Sequence, residues 1–114
     1  MALDGKIGSL STKLVQVVAA GHPSVILTGA VKANAGQWEP GTILIRDGGE
    51  LAPWDGTAGD PVGVATEAVD STAHSSANYL AHGLAVIENL KLADGSAPSD
   101  AQIFSLHKIG IYGA

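Results

Sequence analysis

The sequence predicts a mainly β domain, and three observations support this prediction. Fifteen of the 114 residues are glycine, which favours many turns over long helices. Short apolar runs rich in β-branched residues alternate with turn residues, most clearly between Gly41 and Val69. Apolar residues make up 46% of the chain but aromatic residues only 4%, so the core must be built from small aliphatic side chains. A chain of this length forms one domain with a thin core, and part of its stability is expected to come from association.

The body of the domain is expected to consist of short strands joined by tight turns. The predicted strands cover residues 24–31, 42–46, 50–52, 62–69 and 77–86. Asp47-Gly48-Gly49 and Pro40-Gly41 mark turns between them, because glycine adopts positive φ without a Cβ clash. Trp54 lies beside such a turn and is large enough to close one end of the core. Trp38 suits either a core position or an exposed contact, and the thin aliphatic core favours the first.

The C-terminal third of the chain carries the clearest helix signal. Ser99 is a suitable N-cap and Asp100 places a negative charge in the first turn, so a short helix is predicted through His107. Residues 87–92 fit either a strand end or a single helical turn. The apolar tail at 108–114 is predicted to form a closing strand.

Residues 1–23 are interpreted as an N-terminal arm that precedes a β-rich domain at 24–114. Glycine, serine and threonine interrupt this stretch, and its one β-prone run is Leu14, Val15, Gln16, Val17 and Val18. Such a run can add a strand to a partner's sheet, where backbone hydrogen bonds give affinity and alternating side chains give register. The alternative is an edge strand of the same domain. Pairing of residues 10–18 within their own subunit's central sheet would contradict the arm interpretation.

Several short motifs follow one another in a fixed order. Leu51-Ala52-Pro53-Trp54-Asp55-Gly56-Thr57 precedes Pro61-Val62-Gly63-Val64-Ala65, and Ala68-Val69-Asp70 comes next. Upstream lie the β-prone runs Val25-Ile26-Leu27-Thr28-Gly29 and Pro40-Gly41-Thr42-Ile43-Leu44. In this order and spacing, over residues 25–90, the chain resembles the head decoration proteins of lambda-type tailed phages. Trp54, Asp55 and Gly56 form the family-like turn at the centre of the resemblance.

The resemblance implies both a fold and a function. The implied fold is a β-clip-like bent ribbon or partly closed small barrel, with one or two short helices and an extended N-terminal arm. The implied function is that of a cement protein, which binds the outer surface of the expanded capsid as a homotrimer at three-fold sites and stabilises it against internal DNA pressure. The implied partner of the arm is the major capsid protein. The implied location is the virion surface, after assembly in the bacterial cytoplasm.

The charge distribution argues against direct nucleic-acid binding. The chain has a net charge of −5: residues 1–48 carry +1 and residues 49–114 carry −6. Phosphate contacts need clustered lysine and arginine, which this sequence lacks. The acidic part is expected to face solvent, either for solubility alone or because the near-neutral N-terminal part meets a partner.

Motifs for catalysis, cofactors, metals and membranes are missing from the sequence. It has no cysteine, its four histidines are scattered, and it shows neither a phosphate-binding loop nor a nucleophile elbow. No apolar run is long enough to span a membrane. We therefore expect a non-enzymatic protein without cofactor or metal. The main alternative to a decoration protein is a carbohydrate- or peptide-binding β module that uses Trp38, Trp54 and Tyr79 as an exposed aromatic platform.

Overall fold

The computed structural model describes residues 17–18 and 23–113, and their architecture is mainly β. The strands are β1 (Val25–Ala30), β2 (Gln37–Trp38), β3 (Ile43–Asp47), β4 (Glu50–Pro53), β5 (Pro61–Ala65), β6 (Val69–Asp70), β7 (Ser76–Ala85) and β8 (Ile111–Gly113). A 3₁₀ turn spans Ile87–Asn89, and the helix α1 spans Asp100–His107. The fold class, the helix and the closing strand predicted from the sequence are thus confirmed.

The longest strand, β7, is the spine of a six-stranded sheet. The strands lie in the order β1-β7-β5-β3-β4, with antiparallel pairing, and β8 pairs with β7 in parallel. One edge of β7 holds β1 and, past a bulge, Val18, which bridges to Ala85. The other edge holds β5 and then β8. The spine therefore brings Val18, β1 and the C-terminal strand together around one end of the sheet.

Two hydrophobic cores flank the sheet, because successive residues of a strand point to opposite faces. In β3, Ile43 joins the first core and Leu44 the second. The first core consists of Val17, Ile43, Trp54, Val64, Leu80, Ala85, Leu90, Leu92, Leu106 and Ile111. The second core consists of Val31, Trp38, Leu44, Leu51, Ala65, Val69, Ala77 and Tyr79. Both tryptophans are buried, as predicted for Trp38 and Trp54, and each closes a different core.

The tight turns have the conformations that their sequences predict. β3 and β4 are joined by Gly48-Gly49, both with positive φ, as a two-residue hairpin of the I′ kind requires. Before β3, the amide of Thr42 donates to Glu39 O at 3.2 Å across Pro40-Gly41, and Gly41 has φ of 95°. This arrangement is the type II turn expected for Pro-Gly.

Helix α1 begins with a complete capping box. Ser99 Oγ accepts from the amide of Gln102 at 3.3 Å, and Gln102 Oε1 accepts from the amide of Ser99 at 2.7 Å. Both bonds satisfy amides that an uncapped helix would leave unpaired. Leu106 is the buried residue by which the helix joins the first core. No helix in the described part of the chain is long and apolar enough to cross a membrane.

The sheet remains open instead of closing into a barrel. Its two ends approach each other where Val31 bridges Leu51 of β4 and the amide of Lys32 donates to Leu51 O at 3.0 Å. Beyond Ala30 the chain thus turns towards β4, whereas the N-terminal half of β1 stays on the outside. The short ladder of β2 with β6 covers part of the second core.

Candidate interaction surfaces

The family-like turn at Trp54 is a structural junction. The amide of Trp54 donates to Ile43 O at 2.9 Å, and Trp54 O accepts from the amide of Ala93 at 2.8 Å. The indole lies in the first core beside Leu92 and Leu106. Trp54 therefore ties β3, the loop before α1 and the core together. It is not available for contact with a partner.

Gly56 and Asp55 complete this junction. Gly56 has φ of 97°, and a Cβ at this position would collide with the Gln102 side chain, whose Nε2 donates to Gly56 O at 3.1 Å. Asp55 is exposed and its Oδ1 accepts from the amides of Thr57 and Ala58, at 2.9 and 3.0 Å. These bonds, led by the one from the Thr57 amide, lower the pKa of Asp55 below its ordinary value. The motif therefore fixes the β4–β5 loop against the N-terminus of α1.

The same Asp-x-Thr/Ser turn recurs twice more along the chain. Asp70 Oδ1 accepts from the hydroxyl and amide of Thr72, and Asp94 Oδ1 accepts from those of Ser96, at 2.6 to 2.9 Å. In both, the side-chain hydroxyl bond is the main cause that lowers the pKa of the aspartate. All three carboxylates thus stabilise turns.

The predicted arm residues divide into two groups. Leu14, Val15 and Gln16 lie outside the described residues. Val17 is buried in the first core and its carbonyl accepts from the amide of Val86 at 2.8 Å, while Val18 bridges to Ala85.

The assignment of these last two residues to a capsid-binding arm is therefore wrong. Val17 and Val18 belong to the body of their own subunit, because the bulged end of β7 offers them a free edge and a hydrophobic site. An arm can therefore extend no further than residue 16, because Val17 is buried in the first core.

The aromatic platform expected for a carbohydrate- or peptide-binding module does not exist. Trp38, Trp54 and Tyr79 are all buried. The Tyr79 hydroxyl accepts from Arg46 Nη2 at 2.9 Å, which satisfies its polar group inside the second core. These rings fill cores and present no face to a ligand.

Six large apolar side chains are exposed in the described part of the chain, and they form two groups of three. The β1 strip consists of consecutive residues of the edge strand, namely Val25 (45% exposed), Ile26 (46%) and Leu27 (46%). The α1–β8 patch consists of Ile87 (40%), Phe104 (58%) and Tyr112 (43%).

The α1–β8 patch is held together by close packing around β8. His107 lies between the two aromatic rings, with centroids 5.5 Å from Phe104 and 5.6 Å from Tyr112. Ile87 lies against Gly113, where a Cβ would collide with its side chain. Sequence reasoning missed both groups. The available signal was that the Val25-Ile26-Leu27 run lacks the apolar–polar alternation of a half-buried strand.

A cleft of about 570 Å³ lies between the β2–β6 ladder and residues 91–95. Its charged groups serve mainly local bonds: Lys91 Nζ donates to Pro40 O at 3.1 Å, and Asp70 and Asp94 hold their own turns. No group of three or more histidine, aspartate or glutamate side chains within the described residues is placed to hold a metal ion.

No protein-family model matches the chain, and no curated protein sequence matches it. The features of the described residues that bear on interaction with a partner are the two exposed apolar groups and buried Val17.

Proposed function

We propose that the protein is a capsid decoration protein of a tailed phage, which binds the outer surface of the expanded shell as a homotrimer. The observation on which this proposal rests is the order and spacing of the motifs around Trp54, over residues 25–90. Val17 is buried in the first core and limits the proposed arm to residues 1–16, so it is the anchored root from which that arm would extend. The virion surface is the proposed location, and the major capsid protein is the proposed partner.

The anchored root gives the N-terminal segment the properties of a tether. Residues 1–16 can span up to about 50 Å if fully extended, at about 3.3 Å per residue. Leu14, Val15 and Gln16 form the part best suited to add a strand to another protein's sheet. Because Val17 is held in the core, a load on this segment is transmitted directly to the sheet.

Three such segments on one trimer explain how weak contacts hold a shell together. Each backbone hydrogen bond contributes about 1 kcal/mol net. Once one segment is attached, the other two bind intramolecularly, which raises affinity by roughly 10² to 10⁴. The trimer then links neighbouring capsomers without contact with the packaged DNA.

Sedimentation with purified capsids tests the proposal. The phage whose genome encodes the chain supplies expanded capsids and unexpanded procapsids, and the bound protein is quantified in the pellet. We expect the full chain to bind expanded capsids and to bind procapsids much more weakly, because only expansion is expected to expose the sheet edge that the segment needs.

The matched variant lacks residues 1–16 and keeps Val17. It should stay folded and trimeric but lose capsid binding. Equal binding of the full chain to procapsids, or full binding by the truncated chain, would contradict the proposal.

A further inference from the structure

The two exposed apolar groups differ in position and chemistry. The β1 strip is aliphatic and lies on the outer strand at one edge of β7, whereas the α1–β8 patch is largely aromatic and lies around the strand on the opposite edge. We infer that subunits of the homotrimer contact each other through the β1 strip of one copy and the α1–β8 patch of the next. This inference rests on the proposed function for the number of copies.

The charge distribution points to a second copy as the occupant. The protein has a net charge of −5, so two copies repel each other on average unless they meet through segments without carboxylates. Residues 23–30 carry no charge, and residues 101–113 contain no acid and one lysine, Lys108. The β1 strip, and Phe104 and Tyr112 of the α1–β8 patch, therefore lie on segments without carboxylates, whereas Ile87 at the margin of the patch is followed by Glu88. Interface cores are likewise depleted of charge and enriched in aromatic residues.

Ring symmetry requires two different surfaces on each subunit. In a two-fold dimer one patch meets its own copy, whereas a closed three-fold ring joins one patch to a different patch on the next subunit. The β1 strip and the α1–β8 patch supply such a pair. A patch that met only its own kind would produce dimers.

The backbone of β1 also suits such a contact. In an antiparallel ladder, alternate residues direct their N–H and C=O groups away from the paired strand. The amide of Val31 donates towards β7, to Ser75 O at 3.0 Å, and the amide of Lys32 donates away from it, to Leu51 O. By the same alternation, Ile26 and Thr28 direct their backbone groups outward. Within the described residues no strand pairs with that side of β1.

Two charge-introducing variants, one in each surface, test the inference. Ile26→Lys places a charge in the β1 strip, and Phe104→Lys places one in the α1–β8 patch. Ala73→Lys, in the exposed turn before β7, adds the same charge outside both surfaces and is the control. Tryptophan fluorescence reports folding, because both indoles are buried. If Ile26→Lys fails to fold, Leu27→Gln serves as the second variant of the strip.

Sedimentation equilibrium then gives the oligomeric state. We expect Ala73→Lys to remain trimeric, and we expect Ile26→Lys and Phe104→Lys (the two patch variants) each to be monomeric when alone. An equimolar mixture of the two patch variants should form a heterodimer, because one intact strip and one intact patch remain in the pair. A folded patch variant that still forms trimers, or one that forms dimers by itself, would overturn the inference.

Capsid sedimentation separates this inference from the proposed function. Monomeric patch variants keep the N-terminal segment, so they should bind expanded capsids with affinity lower by roughly 10² to 10⁴. If the variants dissociate as predicted but the native trimer does not bind capsids, the subunit contact stands and the capsid decoration function is rejected. A native protein that is monomeric but binds capsids would overturn the subunit contact and the trimer of the proposed function, and would leave capsid binding standing.

Discussion

The two outer strands of the sheet, β4 and β1, differ in how their edges are protected from association with another strand. β4 is short, carries Glu50 and Pro53, and is covered at Leu51 by Val31 and Lys32. β1 is longer, has no charge and no proline, and exposes three consecutive apolar side chains. Charges, proline, shortness and covering segments are the usual means by which proteins prevent edge-to-edge association. Among the described residues, the β4 edge uses all four means and the β1 edge uses none.

The difference supports the proposal that the β1 edge meets another copy of the chain. An unprotected hydrophobic edge is an aggregation hazard unless something covers it in the assembled state. Val17 and Val18 lie along the same edge of β7 as β1, so the root of the proposed tether and the unprotected strand share one side of β7. The β4 edge, in contrast, is completed by the subunit's own chain.

The same substitution at both edges should give the largest contrast. Leu51 is fully buried at the β4 edge, so Leu51→Ala should lower the free energy of unfolding by about 2–5 kcal/mol. Leu27 is nearly half exposed, so Leu27→Ala should cost about 1 kcal/mol or less in the monomer. Urea unfolding in the Phe104→Lys background, where the protein is expected to be monomeric, measures both. Equal losses would show that β1 is as well packed as β4.

Two truncations show where the tether ends. Removing residues 1–16 should leave the unfolding free energy of the body nearly unchanged. Removing residues 1–18 also takes away buried Val17, so it should cost about 1.5–3 kcal/mol more. Thermal unfolding of both proteins, compared with Val17→Ala in the full chain, measures the difference. If the two truncated proteins are equally stable, Val17 and Val18 do not stabilise the body and belong to the arm.

Local signals in the sequence predicted some elements well and distant pairings poorly. The capping box at Ser99 and the Gly48-Gly49 hairpin depend on residues within four positions of each other, so their sequences determine them. Val17 pairs with Val86 far along the chain, and no local pattern encodes that choice. The two-residue ladder of β2 with β6 is too short to show any periodicity.

The two exposed apolar groups could not be predicted from the sequence, because they too depend on contacts between distant parts of the chain. A continuous apolar run such as Val25-Ile26-Leu27 is typical of a strand buried on both faces. Only the strand order reveals that β1 lies at the edge and is exposed. Likewise, Trp38, Trp54 and Tyr79, which the sequence allows as an exposed platform, are buried. Phe104 of α1 and Tyr112 of β8 form one surface only because the chain returns to β7 after α1, where β8 pairs with β7 in parallel.

The ion pair beside the covered edge should contribute little. Lys32 Nζ lies 3.4 Å from Asp47 Oδ2, and both side chains are about half exposed. Exposed pairs contribute about 0–1 kcal/mol, so Lys32→Ala should lower stability by no more than that. The double-mutant cycle with Asp47→Ala isolates the pair. A coupling energy well above 1 kcal/mol would mean that charge, more than the Val31–Leu51 bridge, protects the β4 edge.

The smallest effect concerns the acid stability of the turns and should be the same whether or not the edges are covered. The hydrogen bonds to Asp55, Asp70 and Asp94 lower their pKa values below 3.8, so the folded state binds these protons less readily than the unfolded state. Their stabilisation is present above pH 3.8 and is lost as the pH falls through the lowered values.

Replacing all three aspartates by asparagine keeps an acceptor oxygen in each turn but removes the titration. We therefore expect urea midpoints of the triple variant to fall less steeply below about pH 4 than those of the native chain. None of the three residues lies in β1 or β4, so the difference in slope should persist in the Ile26→Lys background. A slope difference confined to the trimer would place these turns at the subunit contact, and the contrast between the two edges would no longer account for assembly.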